Sequence, residues 1–144
     1  MSSPLRSPAV WQPPESVKSL PGSYVYLESQ AGDPVGRGLN YTYTAGIAVS
    51  WVAAFSVEVD NWLGAFSWPG NIVKAGYYRL DEAELHWSWE LRCSTVTGWL
   101  VVEDYVEELG QIRLRFEQHC NGTEAALHGA VSWSGRTAQV VVLA

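Results

Sequence analysis

The groups of this chain that could do chemistry are three histidines, two cysteines, a scatter of acids and an unusual number of aromatic rings. His119, Cys120 and His128 lie close together in sequence, with His86 and Cys93 in the segment before them. Adjacent strand residues face opposite sides, so His119 and Cys120 cannot easily hold one ion, and neither a C-x-x-C nor an H-x-x-x-H spacing is present. Hydrogen-bonded histidines are the expectation, with no metal and no other cofactor. The acids at Asp33 and in the Asp60-Asn61 turn carry oxygen ligands of the kind calcium takes, but isolated turn acids are ordinarily solvated.

Nucleophilic catalysis has little support, because no Gly-x-Ser-x-Gly element occurs. A glycosidase-like pair of carboxylates is the best enzymatic option. Glu84, Glu90, Glu103 and Glu117 fall on predicted strands, and Glu84 and Glu90 share a polar face with His86. Alternating polar residues also simply face water on any half-buried sheet, so the balance leans away from an enzyme. The aromatics are the stronger signal. Trp62, Trp68, Tyr77 and Tyr78 stand in turn-rich stretches beside Asp60, Asn61, Asn71 and Arg79. Exposed rings flanked by amide, carboxylate and guanidinium groups suit a sugar, whose C–H face stacks on the ring while its hydroxyls take hydrogen bonds. The candidate ligand site is therefore Asp60, Asn61, Trp62, Trp68, Tyr77, Tyr78 and Arg79, whereas Trp87, Trp89, Trp99 and Trp133 sit at regular strand positions and read as core.

These residues need strands to position them. From Ser23 onward the chain consists of short alternating runs separated by Gly, Asn, Asp and Pro. LNYTYT sets Leu39, Tyr41 and Tyr43 against Asn40, Thr42 and Thr44. ELHWSWEL sets Leu85, Trp87, Trp89 and Leu91 against Glu84, His86, Ser88 and Glu90. VTGWLVVEDYV and QIRLRFEQHC flank a tight connection at Glu108, Leu109 and Gly110 and predict a long antiparallel hairpin. ALHGAVSW and TAQVVVL are the last predicted strands. RLDEAEL, over 79–85, is the one helical competitor, suited to a single turn. About ten strands without a long helix predict an all-β fold, an antiparallel two-sheet sandwich or jelly roll, over 23–144. Residues 1–22 hold five of the seven prolines and predict a flexible arm or linker. Trp11 is its only large anchor, and the alternatives are a solvated tail and an arm packed on the domain or on a neighbouring subunit.

Composition narrows the function. The chain has 144 residues, one domain's worth, with eight Trp, seven Tyr and three Phe, a bias towards sheet. Nine Lys plus Arg against fifteen Asp plus Glu give a net charge of −6, the wrong sign for a nucleic-acid partner. No apolar run approaches the ~18 residues of a membrane span. The N-terminus lacks the apolar stretch of a secretory leader, so the expectation is a cytosolic protein or one whose leader has been removed. Two cysteines permit one pairing, or two free thiols.

The segments GWLVVED at 98–104, LRFEQHCNG at 114–122 and ALHGAVSW at 126–133, with SYVYLESQAGDPVGRGLNYTYT at 23–44, resemble a family of bacterial, often secreted, β-rich domains of unknown function. The resemblance covers about residues 23–134. It implies that Cys93 and Cys120 form a disulfide, and with it a secreted or extracellular location. That bridge closes a loop of 27 residues, for which loop-closure entropy gives roughly 3.5 kcal/mol. Two departures stand out: Arg92-Cys93-Ser94 occupies the place of the family's Gly-Cys-Asn, and the chain is shorter between Tyr78 and Trp87. The reading that follows is a non-catalytic binding module with carbohydrate as its ligand class. The alternatives are a structural or self-associating protein-interaction domain, and a jelly-roll glycoside hydrolase. The partner expected is a glycan or a protein; the sequence gives no oligomeric state.

Overall fold

The computed structural model describes residues 11–51, 55–89 and 92–134. Pro4 and Pro8 of the arm, Glu90 and Leu91, and the predicted strand TAQVVVL lie outside the described residues. Ten strands are described: β1 (Tyr24–Ser29), β2 (Asn40–Tyr43), β3 (Ala48–Ser50), β4 (Phe55–Val59), β5 (Trp62–Ser67), β6 (Gly76–Arg79), β7 (Glu84–Ser88), β8 (Val96–Val106), β9 (Gln111–Cys120) and β10 (Leu127–Ser134). They form a six-stranded sheet in the order β2-β1-β10-β9-β8-β6 and a four-stranded sheet in the order β3-β4-β5-β7. Every pairing is antiparallel, so the fold is the all-β two-sheet sandwich expected from the alternation.

The core lies between the sheets because each strand sends alternate apolar side chains inward. Val25, Leu27, Leu100, Leu114, Phe116 and Val131 of the larger sheet meet Phe55, Val57, Trp62, Phe66, Leu85 and Trp87 of the smaller. Trp87 stacks on Phe116 with centroids 5.4 Å apart. Both rings lie over glycines: a Cβ at Gly64 would run into Trp87, and one at Gly129 into Phe116. Gln118 is wholly buried on the same inner face, where an unpaired amide would be costly. Its Oε1 accepts from the Trp87 backbone N–H at 2.8 Å and its Nε2 donates to the Trp87 carbonyl at 3.1 Å, so one side chain of β9 satisfies a backbone unit of β7. The Cys93–Cys120 disulfide ties the segment before β8 to the end of β9.

Three expectations change. Residues 11–22 take the packed alternative for the arm and not the flexible one: they lie on the outer face of the six-stranded sheet. The short helix α1 (Glu15–Lys18) buries Val17, which joins Tyr24, Tyr26 and Ala130, with Trp11 and Leu20 against them. Trp11 stacks on His128 at 4.9 Å, and its carbonyl accepts from Arg115 Nη1 at 2.8 Å. The proline-rich composition left the choice open because the apolar surface that receives the arm belongs to β1 and β10. Second, of RLDEAEL only residues 80–83 form the turn, closed by Ala83 N–H to the Arg79 carbonyl, while Arg79 ends β6 and Glu84 and Leu85 begin β7. Third, Trp62 and Trp68 are core, 1% and 4% exposed, rather than exposed rings. The two-residue connection Asp60-Asn61, with Asp60 at φ 56°, starts β5 directly at Trp62.

Candidate binding cleft

An open cleft of about 600 Å³ lies at the end of the sandwich where β8 turns into β9. Trp51, immediately after β3, forms one wall with Phe55, their centroids 4.4 Å apart. Tyr105 of β8 faces Trp51 at 5.8 Å. Ile72 and Val73, which follow the 3-10 turn Pro69–Asn71, line the cleft together with Trp68. Trp51 and Ile72 are 37% and 58% exposed, so apolar surface here faces solvent. The polar groups are Ser67, Asn71 and Glu107, the last from the tip of the β8–β9 hairpin. Ser67 Oγ donates to Glu84 Oε1 at 3.1 Å. Burial, then the nearby Glu107 and Glu108 carboxylates, push the Tyr105 hydroxyl above its ordinary pKa, so it stays protonated and able to donate.

Only Trp68 of the seven predicted ligand residues reaches this cleft, as a mostly buried part of its wall. Asp60, Asn61 and Trp62 sit at the opposite ends of β4 and β5, about 13 Å away along the strands. There the Asp60 carboxylate accepts from Tyr43 Oη at 3.0 Å, and Trp62 packs against Tyr41 and Trp89. Tyr77, Tyr78 and Arg79 belong to the edge strand β6. Tyr77 stacks on Trp99, Tyr78 Oη donates to the Lys74 carbonyl at 2.8 Å, and exposed Arg79 pairs with Asp81. Sequence reasoning missed Trp51, Tyr105 and Glu107. Trp51 continues the alternation of Ile47 and Val49 one step past its strand, a signal that the ring overhangs the sheet end.

The remaining chemistry-bearing residues are occupied elsewhere. Asp33 is buried and accepts from Ser29 Oγ, Val35 N–H and Gly36 N–H, which fixes its own loop. Glu103 pairs with Arg115 at 2.8 Å. On the outer face of the larger sheet, Glu117 accepts from His119 Nε2 at 2.7 Å and His128 Nε2 at 2.8 Å. His119 Nδ1 faces the Thr123 carbonyl at 2.9 Å, so both of its ring nitrogens meet acceptors and the imidazolium form is favoured. Cys120 points to the inner face and is in the disulfide. No group of three or more His, Cys, Asp or Glu among the described residues is placed to hold a metal ion.

The Glu117 cluster makes stability depend on pH. Burial disfavours the Glu117 carboxylate, but hydrogen bonds and charge from His119 and His128 outweigh it and hold its pKa below the ordinary value. Burial likewise opposes the His119 cation, while Glu117 and the Thr123 carbonyl outweigh it and raise its pKa. The carboxylate's contribution is therefore present above its unfolded pKa, about 4.3, and is lost as pH falls through the lower folded value. That of His119 is present below about 6.5 and is lost as pH rises through the higher folded value. Glu117→Gln should cost most between about pH 4.3 and 6.5, roughly 1 kcal/mol after solvent screening. Urea unfolding of both proteins across pH checks it; a difference that does not vary with pH would refute the pairing.

The fold and cleft together define a disulfide-stapled β-sandwich with an aromatic end cleft. Comparisons with family models, with curated proteins and with solved structures find no significant match to this chain. The resemblance to the β-rich family described above rests on its motif residues alone.

Proposed function

We propose that the chain is a non-catalytic binding module whose end cleft takes a carbohydrate ring. The observation that carries this reading is the half-exposed indole of Trp51 beside Tyr105, in a cleft rimmed by Ser67, Asn71 and Glu107. An exposed ring offers a sugar's C–H face a stacking surface, and the amide, hydroxyl and carboxylate groups offer its hydroxyls hydrogen bonds. Hydrolysis has less support, because a glycosidase needs two facing carboxylates. Glu107 is the only carboxylate among the described residues lining the cleft. Glu84 is held behind the wall by Ser67; Glu103 and Glu117 are bonded to neighbours outside the cleft, and Glu90 lies outside the described residues.

Binding should be detected by a glycan array and measured by titration calorimetry. Trp51→Ala is expected to weaken it about tenfold, the scale of one lost stacking contact. A folded wild-type protein that binds nothing in either assay would eliminate the reading. The disulfide supports a secreted protein, since such bonds persist in oxidising compartments. Recovery of the native protein with both thiols free would sink that part.

A further inference from the structure

We infer that the cleft selects a sugar carrying a free ammonium group over neutral and acidic sugars, an inference that rests on the carbohydrate reading above. Two independent features of the wall point this way. Glu107 is the one charged residue among the described lining residues, and no Lys or Arg among the described residues lines the cleft to balance it. A second carboxylate, Glu108, adjoins it on the same hairpin tip, and a third, Glu84, sits one hydrogen bond behind the lining Ser67. An acidic sugar would meet like charge here, whereas an ammonium group gains an ion pair.

The second feature is the arrangement of rings. The Trp51 ring lies 4.4 Å from Phe55 and 5.8 Å from Tyr105 between centroids, and Trp51 keeps over a third of its surface open. The faces of aromatic rings carry negative potential and attract organic cations, most strongly for Trp. The wall that stacks a pyranose thus also favours an ammonium substituent on it, and Glu107 lies at the same opening. The half-exposed setting keeps part of the cation's hydration, so the gain is one of moderate selectivity.

The test is calorimetric titration of the full chain with three probes of equal length: a glucosamine oligosaccharide, its fully N-acetylated counterpart and an oligouronate. The free-amine probe should bind about tenfold tighter than the acetylated one, within the range of a partly exposed cation–π contact plus an ion pair. Acetylation removes the charge while leaving the ring to stack. Glu107→Gln should remove the ion pair's share and narrow the preference to about threefold, the part the aromatic wall supplies. Glu58→Gln, an equal charge change on β4 away from the cleft, should leave the preference intact. Equal binding of both probes, or a preference that Glu107→Gln leaves undiminished, overturns the selectivity while the carbohydrate reading stands. No binding of any probe, together with a flat glycan array, overturns both.

Discussion

Gly98→Ala is expected to destabilise the protein by about 4 kcal/mol, combining strain at a glycine-only backbone conformation with overpacking against a fixed neighbour. Gly98 lies on β8 at φ 131°, which L side chains rarely adopt, and a Cβ there would run into the Glu117 carbonyl of β9. That carbonyl belongs to the backbone of the central hairpin and cannot rotate away as a side chain could. Relief would require β8 to lift from β9 beside Gln118, disturbing the buried amide that holds Trp87. Since small domains are stable by only about 5–15 kcal/mol, the variant should unfold at a much lower urea midpoint or accumulate poorly. Gly129→Ala makes a useful comparison, because its Cβ meets the Phe116 ring, which has more freedom to move. A Gly98→Ala protein within about 1 kcal/mol of wild type would show that the hairpin tolerates what the close approach forbids.

Removing the disulfide comes second in size. Replacing Cys93 and Cys120 together by serine should cost about 3.5 kcal/mol, the loop-closure entropy returned to the unfolded chain across a separation of 27 residues. The native fold should nonetheless survive. Asn121 Oδ1 accepts from the Ser94 and Thr95 backbone N–H groups at 2.8 and 3.0 Å, and Asn121 N–H donates to the Thr95 carbonyl, clamping the same two segments without sulfur. The effect should thus appear as a lower urea midpoint of a transition that stays cooperative. Unreduced wild type should show no reactive thiol whether folded or unfolded, since both of its cysteines are in the bridge. A loss below about 1 kcal/mol in the double variant would mean that the unfolded chain is already held closed by other structure.

Much of the sandwich is legible residue by residue. The segments VTGWLVVEDYV and QIRLRFEQHC coincide with β8 and β9, because Ile112, Leu114 and Phe116 alternate with Arg113, Arg115 and Glu117 over a full strand length. The same rule places Trp62, Gly64 and Phe66 on one face of β5, with Trp68 continuing the alternation one residue past its end, and nearness to turn residues is what made the two tryptophans read as loop. β1 carries a subtler signal: Tyr24 and Tyr26 are buried on the face opposite Val25 and Leu27. A strand apolar on both faces must be covered on both, and here the outer cover is Trp11, Val17 and Leu20.

The alternation written into the sequence is enough to determine two antiparallel layers with an aromatic core, because the side-chain period of a strand is a local property. The cleft is a different matter. Between Val102 and Asp104 the register of β8 on β9 shifts, so Tyr105 pairs with Ile112 and turns inward, whereas unbroken alternation would leave it outside with Trp99 and Val101. A one-residue slip inverts every later side chain, and whether it occurs depends on the partner strand rather than on the strand's own residues. Tertiary structure alone, by joining the strand end at Trp51, the turn at Asn71 and the hairpin tip at Glu107, makes those three residues neighbours.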